Sequence, residues 1–268
     1  MTQNDTLTIS ADPQSENDTR GIALNTVGIN KVKYPVLISG WKPNTEKEVD
    51  GLFSLQVSLA SDKRGIHMSR LLEHLHHWET PLSPTTLSAF LTKMREEQGA
   101  EFASMSCQFT WYVNRPTPET GRNAWQGIET TWQASQNTSS NTTGYTLRIP
   151  VTTLCPCSRD ISDYGAHSQR GWITVQLEWS EGEKVVSPEE IYNKLESAGS
   201  APIYPLLKRA DERHVTMKAY DNPAFVEDTI RQAAEILQSD PRIKRFQLDV
   251  CNEESIHTHD AVASLSIS

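Results

Sequence analysis

The chain has 268 residues, 37% of them hydrophobic and 22% charged, with a formal net charge of −9. That length can bury a sizeable core as one large domain or as two of ordinary size. The negative balance disfavours a nucleic-acid backbone or an anionic membrane as the main partner, and no run approaches the ~18 apolar residues a membrane helix needs.

In chain order, the opening MTQNDTLTISADPQSENDTRG lacks the apolar core of a signal peptide, and residues 1–22 read as a disordered lead-in with too little apolar surface to fold. Four cysteines without an export signal fit a reducing cytoplasm. The N-x-S/T matches at Asn137 and Asn141 are then loop composition. Tyr34 to Ser39 predicts a short strand, and Phe53, Leu55, Val57 and Leu59 alternate with polar residues, the period of a half-buried strand. A helix follows with Leu71, Leu72, Leu75 and Trp78 on one stripe. Ser83-Pro84 predicts the start of another, which carries Leu87, Phe90, Leu91 and Met94 and ends at Gly99. Phe102 to Val113 and Ile128 to Ala134 complete the first set as strands, with Cys107 on the apolar face. The helical His74, His76 and His77 are assigned to a polar helix face.

The polar segment SQNTSSNTTG (135–144) marks the boundary between a first unit, 23–138, and a second, 139–268. Beyond it Tyr145 to Val151 and Ile173 to Trp179 alternate as strands. Ser187-Pro188-Glu189-Glu190 predicts a helix start, Asn222-Pro223 a longer one with Ile230, Ala233, Ala234 and Leu237, and two strands close the chain. Each half therefore reads strand-strand-helix-helix-strand-strand, an α+β layer architecture. Four strands covered on one side leave edges to be paired by a neighbour, so an oligomeric barrel is expected. The hexapeptides GIHMSR (65–70) and GAHSQR (165–170) fall at different points of the order and are read as coincidence.

Cys155, Cys157 and His167, in LCPCSRDISDYGAHSQR, put thiols and an imidazole at the start of a strand. Zinc accepts both donors, and a catalytic site wants about three protein ligands. Further donors lie in RADERH (209–214), with Asp211, Glu212 and His214, and in EESIHTHD (253–260). There His257 and His259 are two apart, so in an extended segment they share a face, and one could bind metal while the other moves protons. Each element alone has an ordinary structural reading.

Together, LCPCSRDISDYGAHSQRG, DERHVTMKAYDNPAFVED and ESIHTHDA, with RGIHMSRLLEHL in the first half, resemble the type IB GTP cyclohydrolase family. The resemblance implies the tunnelling fold, with two tandem units per chain assembled as a homotetramer. It implies Cys155, His167, Glu212 and His257 as ligands of a divalent ion (zinc, manganese or iron), and leaves Cys157 without a ligand role. The implied reaction opens the imidazole ring of GTP by attack of metal-activated water on purine carbon 8. Formate leaves, and 7,8-dihydroneopterin triphosphate forms as the first step of tetrahydrofolate biosynthesis. His259 is the candidate proton shuttle, and Glu227 anchors guanine by accepting two parallel hydrogen bonds. Lys63, Arg64, Arg70, Arg170, Lys208, Arg209 and Arg213 are candidates for the triphosphate. Two rivals are a metal-free nitrile reductase with a cysteine nucleophile and an interaction module with a structural zinc site. Metal dependence separates the first, and a closed, cysteine-rich ligand set would mark the second.

Overall fold

The computed structural model describes residue 14 and residues 16–268. Most of the lead-in assigned to residues 1–22 lies outside the described residues. From Glu16 on it runs beside the loop at 62–64, where the Asp18 N–H donates to the Asp62 carbonyl at 2.9 Å and the Arg64 N–H to the Glu16 carbonyl at 3.1 Å.

The strands are β1 (Leu24–Ser39), β2 (Glu46–Leu59), β3 (Ala103–Pro116), β4 (Asn123–Gln136), β5 (Asn141–Leu154), β6 (Ser168–Ser180), the two-residue β7 (Ala201–Pro202), β8 (Arg245–Asn252) and β9 (Ala261–Ile267). The helices are α1 (Met68–His76), α2 (Leu87–Gln98), α3 (Pro156–Ile161), α4 (Pro188–Leu195), α5 (Arg209–Asp221) and α6 (Val226–Gln238). The strands form one antiparallel sheet in the order β1-β2-β3-β4-β5-β6-β8-β9, with β7 pairing onto β5. Alternation sends one face of the central strands into the core and leaves the other partly open, whereas the edge strands β1 and β9 are only partly covered.

The predicted boundary is a pairing site within this sheet. Residues 135–144 supply the end of β4, a tight turn and the start of β5, and the two strands hydrogen-bond directly. One transverse row of residues crosses both halves in register: Val32, Phe53, Cys107, Trp132, Tyr145, Leu177, Phe246 and Ile267. Trp132 and Tyr145 meet edge-to-face across the seam at 5.7 Å, and the buried Tyr145 hydroxyl donates to the Val186 carbonyl at 2.8 Å. Close backbone approach repeats in both halves. A Cβ on Gly28 would stand 1.9 Å from the Leu55 carbonyl oxygen, and one on Gly144 2.2 Å from that of Leu177.

Helices cover the apolar face. α2 packs on β3, β4 and β5, and α6 on β8 and β9. Gly99, with φ +59°, caps α2, and the Ser187 hydroxyl caps α4 by accepting the Glu190 N–H at 3.3 Å. Four expectations about helices need correction. α2 begins at Leu87, because Ser83 to Thr86 form a hydroxyl-bonded turn instead. α6 begins at Val226, because Asn222 caps the C-terminus of α5. Leu72 of the α1 stripe is exposed. His74 is buried rather than on a polar face: its Nε2–H donates to the Phe90 carbonyl at 3.0 Å, and burial pushes its pKa below the ordinary value.

Candidate active site

Because each neighbouring pair is antiparallel, the four hairpin loops (40–45, 117–122, 155–167 and 253–260) open at one end of the sheet. The β4–β5 turn lies at the other end. Most of the predicted chemistry gathers along that loop-bearing rim.

Leu154 and Ser168 are the last register pair of β5 and β6. Cys155 and His167 follow, and the Cys155 N–H donates to the His167 carbonyl at 3.1 Å. Pro156 can only start a helix, so Cys155 becomes the N-cap of α3 and its Sγ accepts the Ser158 N–H at 3.4 Å. The Ser158 hydroxyl accepts the His167 N–H at 3.0 Å. Ser158, which the sequence reading passed over, thus holds both members of the pair. His167 Nδ1 lies 2.8 Å from Gln169 Oε1, and the buried Gln169 donates to Thr153 Oγ1 at 3.1 Å. An amide oxygen only accepts, so Nδ1 carries the proton and Nε2 is the nitrogen left to bind a metal.

The β8–β9 loop reaches the same place. Glu254 Oε2 is 3.8 Å from His167 Nδ1, and the Glu253 N–H donates to the Arg170 carbonyl at 2.9 Å. The exposed rings of His257 and His259 stack at 5.1 Å and 16°. The junction between α5 and α6 also lies here: the Ala224 N–H donates to the Leu154 carbonyl at 3.1 Å, and Arg159 of α3 donates to the Tyr220 carbonyl at 2.8 Å. Glu227 stands exposed in the first turn of α6, where helix N–H groups favour a carboxylate.

Glu212 occupies the opposite end of α5, about 12 Å along the axis from Tyr220 at 1.5 Å per residue. Among the described residues no three His, Cys, Asp or Glu side chains converge closely enough to hold a metal ion. Cys155 with His167, His257 with His259, and Glu212 thus stand as three groups on one rim. The candidate cations divide similarly. Lys208, Arg209 and Arg213 surround the start of α5, Arg170 lies near Trp172, and Lys63 and Arg70 line a first-half cavity of about 300 Å³.

Asp211 has a different part from its neighbour. It is fully buried and accepts from the Glu119 N–H (2.9 Å), the Thr120 N–H (2.8 Å), the Thr120 hydroxyl (2.7 Å) and the Lys208 N–H (2.9 Å). Burial alone would raise its pKa, but these hydrogen bonds outweigh it and hold the carboxyl well below the usual range. Three of the four donors come from Glu119 and Thr120 in the other half of the chain, a contact with no local sequence signal.

The crystal structure of uricase from Arthrobacter globiformis matches with a TM-score of 0.52 at 9% identity, covering 91% of this chain and 93% of that one, a likeness of fold alone. In sequence, the model of the family described as type I GTP cyclohydrolase folE2 matches residues 11–263. GTP cyclohydrolase FolE2 of Kosmotoga olearia is 37% identical over 254 residues, 95% of this chain and 97% of that protein. The Paraburkholderia xenovorans protein of the same name is 37% identical over 263 residues, 98% of this chain and 97% of its own. The chain belongs to the type I GTP cyclohydrolase FolE2 family.

Proposed function

We propose that this chain is a divalent-metal-dependent GTP cyclohydrolase I of the tunnelling fold. It hydrolyses GTP to 7,8-dihydroneopterin triphosphate and formate at the start of tetrahydrofolate biosynthesis. Near-full-length likeness to relatives named GTP cyclohydrolase supports the activity. The observation that carries the site is the Cys155–His167 pair, fixed by Ser158, with the imidazole turned by Gln169 so that Nε2 stays open.

The donor chemistry fits a borderline ion such as zinc, manganese or iron. Cys155 and His167 would hold it, with Glu212 and His257 as the further ligands; those two stand apart on the rim in this chain and would have to close on the pair. Bound there, the ion supplies Lewis acidity that makes hydroxide available near neutral pH to the poorly electrophilic carbon 8 of the purine. Glu227 accepts the guanine ring N–H and exocyclic amino hydrogens in parallel, a geometry adenine cannot match. His259 moves protons at the ring nitrogens and during sugar rearrangement, since imidazole is the side chain that ordinarily titrates near neutrality. The basic residues around α5, β6 and the first-half cavity are the candidates for the triphosphate.

The open edges β1 and β9 support assembly into a homotetrameric barrel, because unpaired edge strands seek a neighbour. Unpaired cysteines and a nucleotide substrate support a cytoplasmic location. The test is to incubate metal-reconstituted protein with GTP and quantify formate and the fluorescent oxidised pterin. Formate should appear in step with GTP consumed. No product with zinc, manganese or iron overturns the reading.

A further inference from the structure

α5 runs along the loop-bearing rim and is held at both ends. Its last turn is tied to α3 through Arg159 and the Tyr220 carbonyl. Its first turn is gripped from the other half of the chain by the β3–β4 loop. There Asp211 accepts two successive backbone N–H groups and a hydroxyl from Glu119 and Thr120, and a fourth bond from Lys208 closes the capping box of the helix. A second strut lies one turn on, where Glu119 Oε1 stands 2.6 Å from His214 Nδ1. Thr117 stiffens the loop itself: its N–H donates to the Arg122 carbonyl at 2.9 Å, and its hydroxyl accepts the Arg122 N–H at 3.0 Å.

A buried carboxylate saturated by four donors fixes the rotation and height of a helix end more tightly than a solvated cap does. The next residue is Glu212, exposed and turned away from the loop by one helical step. The amphipathic drive that orients most helices is weak here, because only Asp211 and Ala219 of α5 are buried. Polar fastening therefore sets the pose of this helix.

We propose that Asp211, through Thr120 and Glu119 of the β3–β4 loop, is a positioning residue that sets where Glu212 is presented to the metal. This rests on the reading of Glu212 as a ligand. It gives the first half of the chain a direct part in a site whose ligands all come from the second. Residues that orient metal ligands typically cost about 10–100-fold in affinity when removed.

The experiment measures zinc affinity of the full chain by competition with a chromophoric chelator, alongside the melting temperature of the metal-free protein. Thr120→Val removes one of the four bonds, and Thr120→Ser restores the hydroxyl. Thr120→Val should bind zinc several-fold more weakly, Thr120→Ser should return to the parent value, and Asp211→Asn should lose at least tenfold where it folds. A Thr120→Val protein that melts earlier but binds zinc as the parent does overturns the proposal, leaving the clamp merely structural. Glu212→Gln separates the two readings. If it binds zinc like the parent, the ligand assignment falls; if it binds weakly while Thr120→Val does not, only the positioning role falls.

Discussion

The two halves share a plan and differ in what joins their hairpins. In the first, the connection from Ala60 to Phe102 holds two helices, and the rim loops at 40–45 and 117–122 are short turns. In the second, the connection from Glu181 to Lys244 adds β7 and α5 to its helices. The hairpin loop at 155–167 also contains a helix, and all four proposed ligands lie in these additions or in the 253–260 loop. The sheet beneath is continuous, so the proposed site rests on elaborated connections over a shared scaffold. The first half contributes scaffold and a clamp; the second contributes the proposed ligands.

The sharpest way to break this contrast is to alter equivalent hairpin loops. Cys155→Ala should reduce formate release by about 10³-fold or more, near 4 kcal/mol of barrier. Lys42→Ala, in the first-half loop where Lys42 meets Glu189 at the surface, should change it less than twofold. Equal losses would put the chemistry elsewhere. Next in size is Glu227→Gln, which should lower kcat/KM for GTP by about 10²-fold or more while metal content stays at the parent level. Loss of metal in that variant would make Glu227 a ligand rather than a guanine anchor.

The shared scaffold is tested by Trp132→Ala at the seam. Removal of this fully buried ring should cost about 3–5 kcal/mol in urea unfolding, with near- and far-ultraviolet signals moving together. Two separate transitions would mean that the halves fold independently. A smaller effect comes from the base of the long connection, where Glu183 accepts from Lys244, the Ser180 N–H and Arg245, which hold its pKa at about 2. A depressed carboxylate stabilises fully above its ordinary range, 4.5 here, and loses that contribution as pH falls through about 2. Glu183→Gln should therefore flatten the fall in melting temperature over that window and match the parent's pH dependence above it. An unchanged acid limb would remove the ion pair from the account.

How much of this could be read in the chain follows from where each signal lives. Strand alternation is a local property, so the core strands were legible from Phe53 to Leu248, although their polar ends, set by cross-strand pairing, were not. The buried Cys107 was legible for the same reason. The 135–144 segment holds the turn between the halves, but its Asn, Ser and Thr residues also pair at the ends of β4 and β5, and Gly144 needs the close approach of Leu177 to be understood. α5 was invisible to periodicity because its face is polar and its hold on the fold passes through Asp211 to backbone amides far away in sequence. The ligand candidates were visible as residue types, and the local Cys155–His167 pairing emerges from the β5–β6 register. The spread of Glu212 and His257 along the rim is a tertiary property that no spacing encodes.

X-ray absorption of the zinc-loaded protein should show a single sulfur at about 2.3 Å, with nitrogen and oxygen filling the remaining shell. That sulfur should vanish in Cys155→Ala and persist in Cys157→Ser. Two sulfurs, or one that survives loss of Cys155, would contradict Cys155 as the ligand.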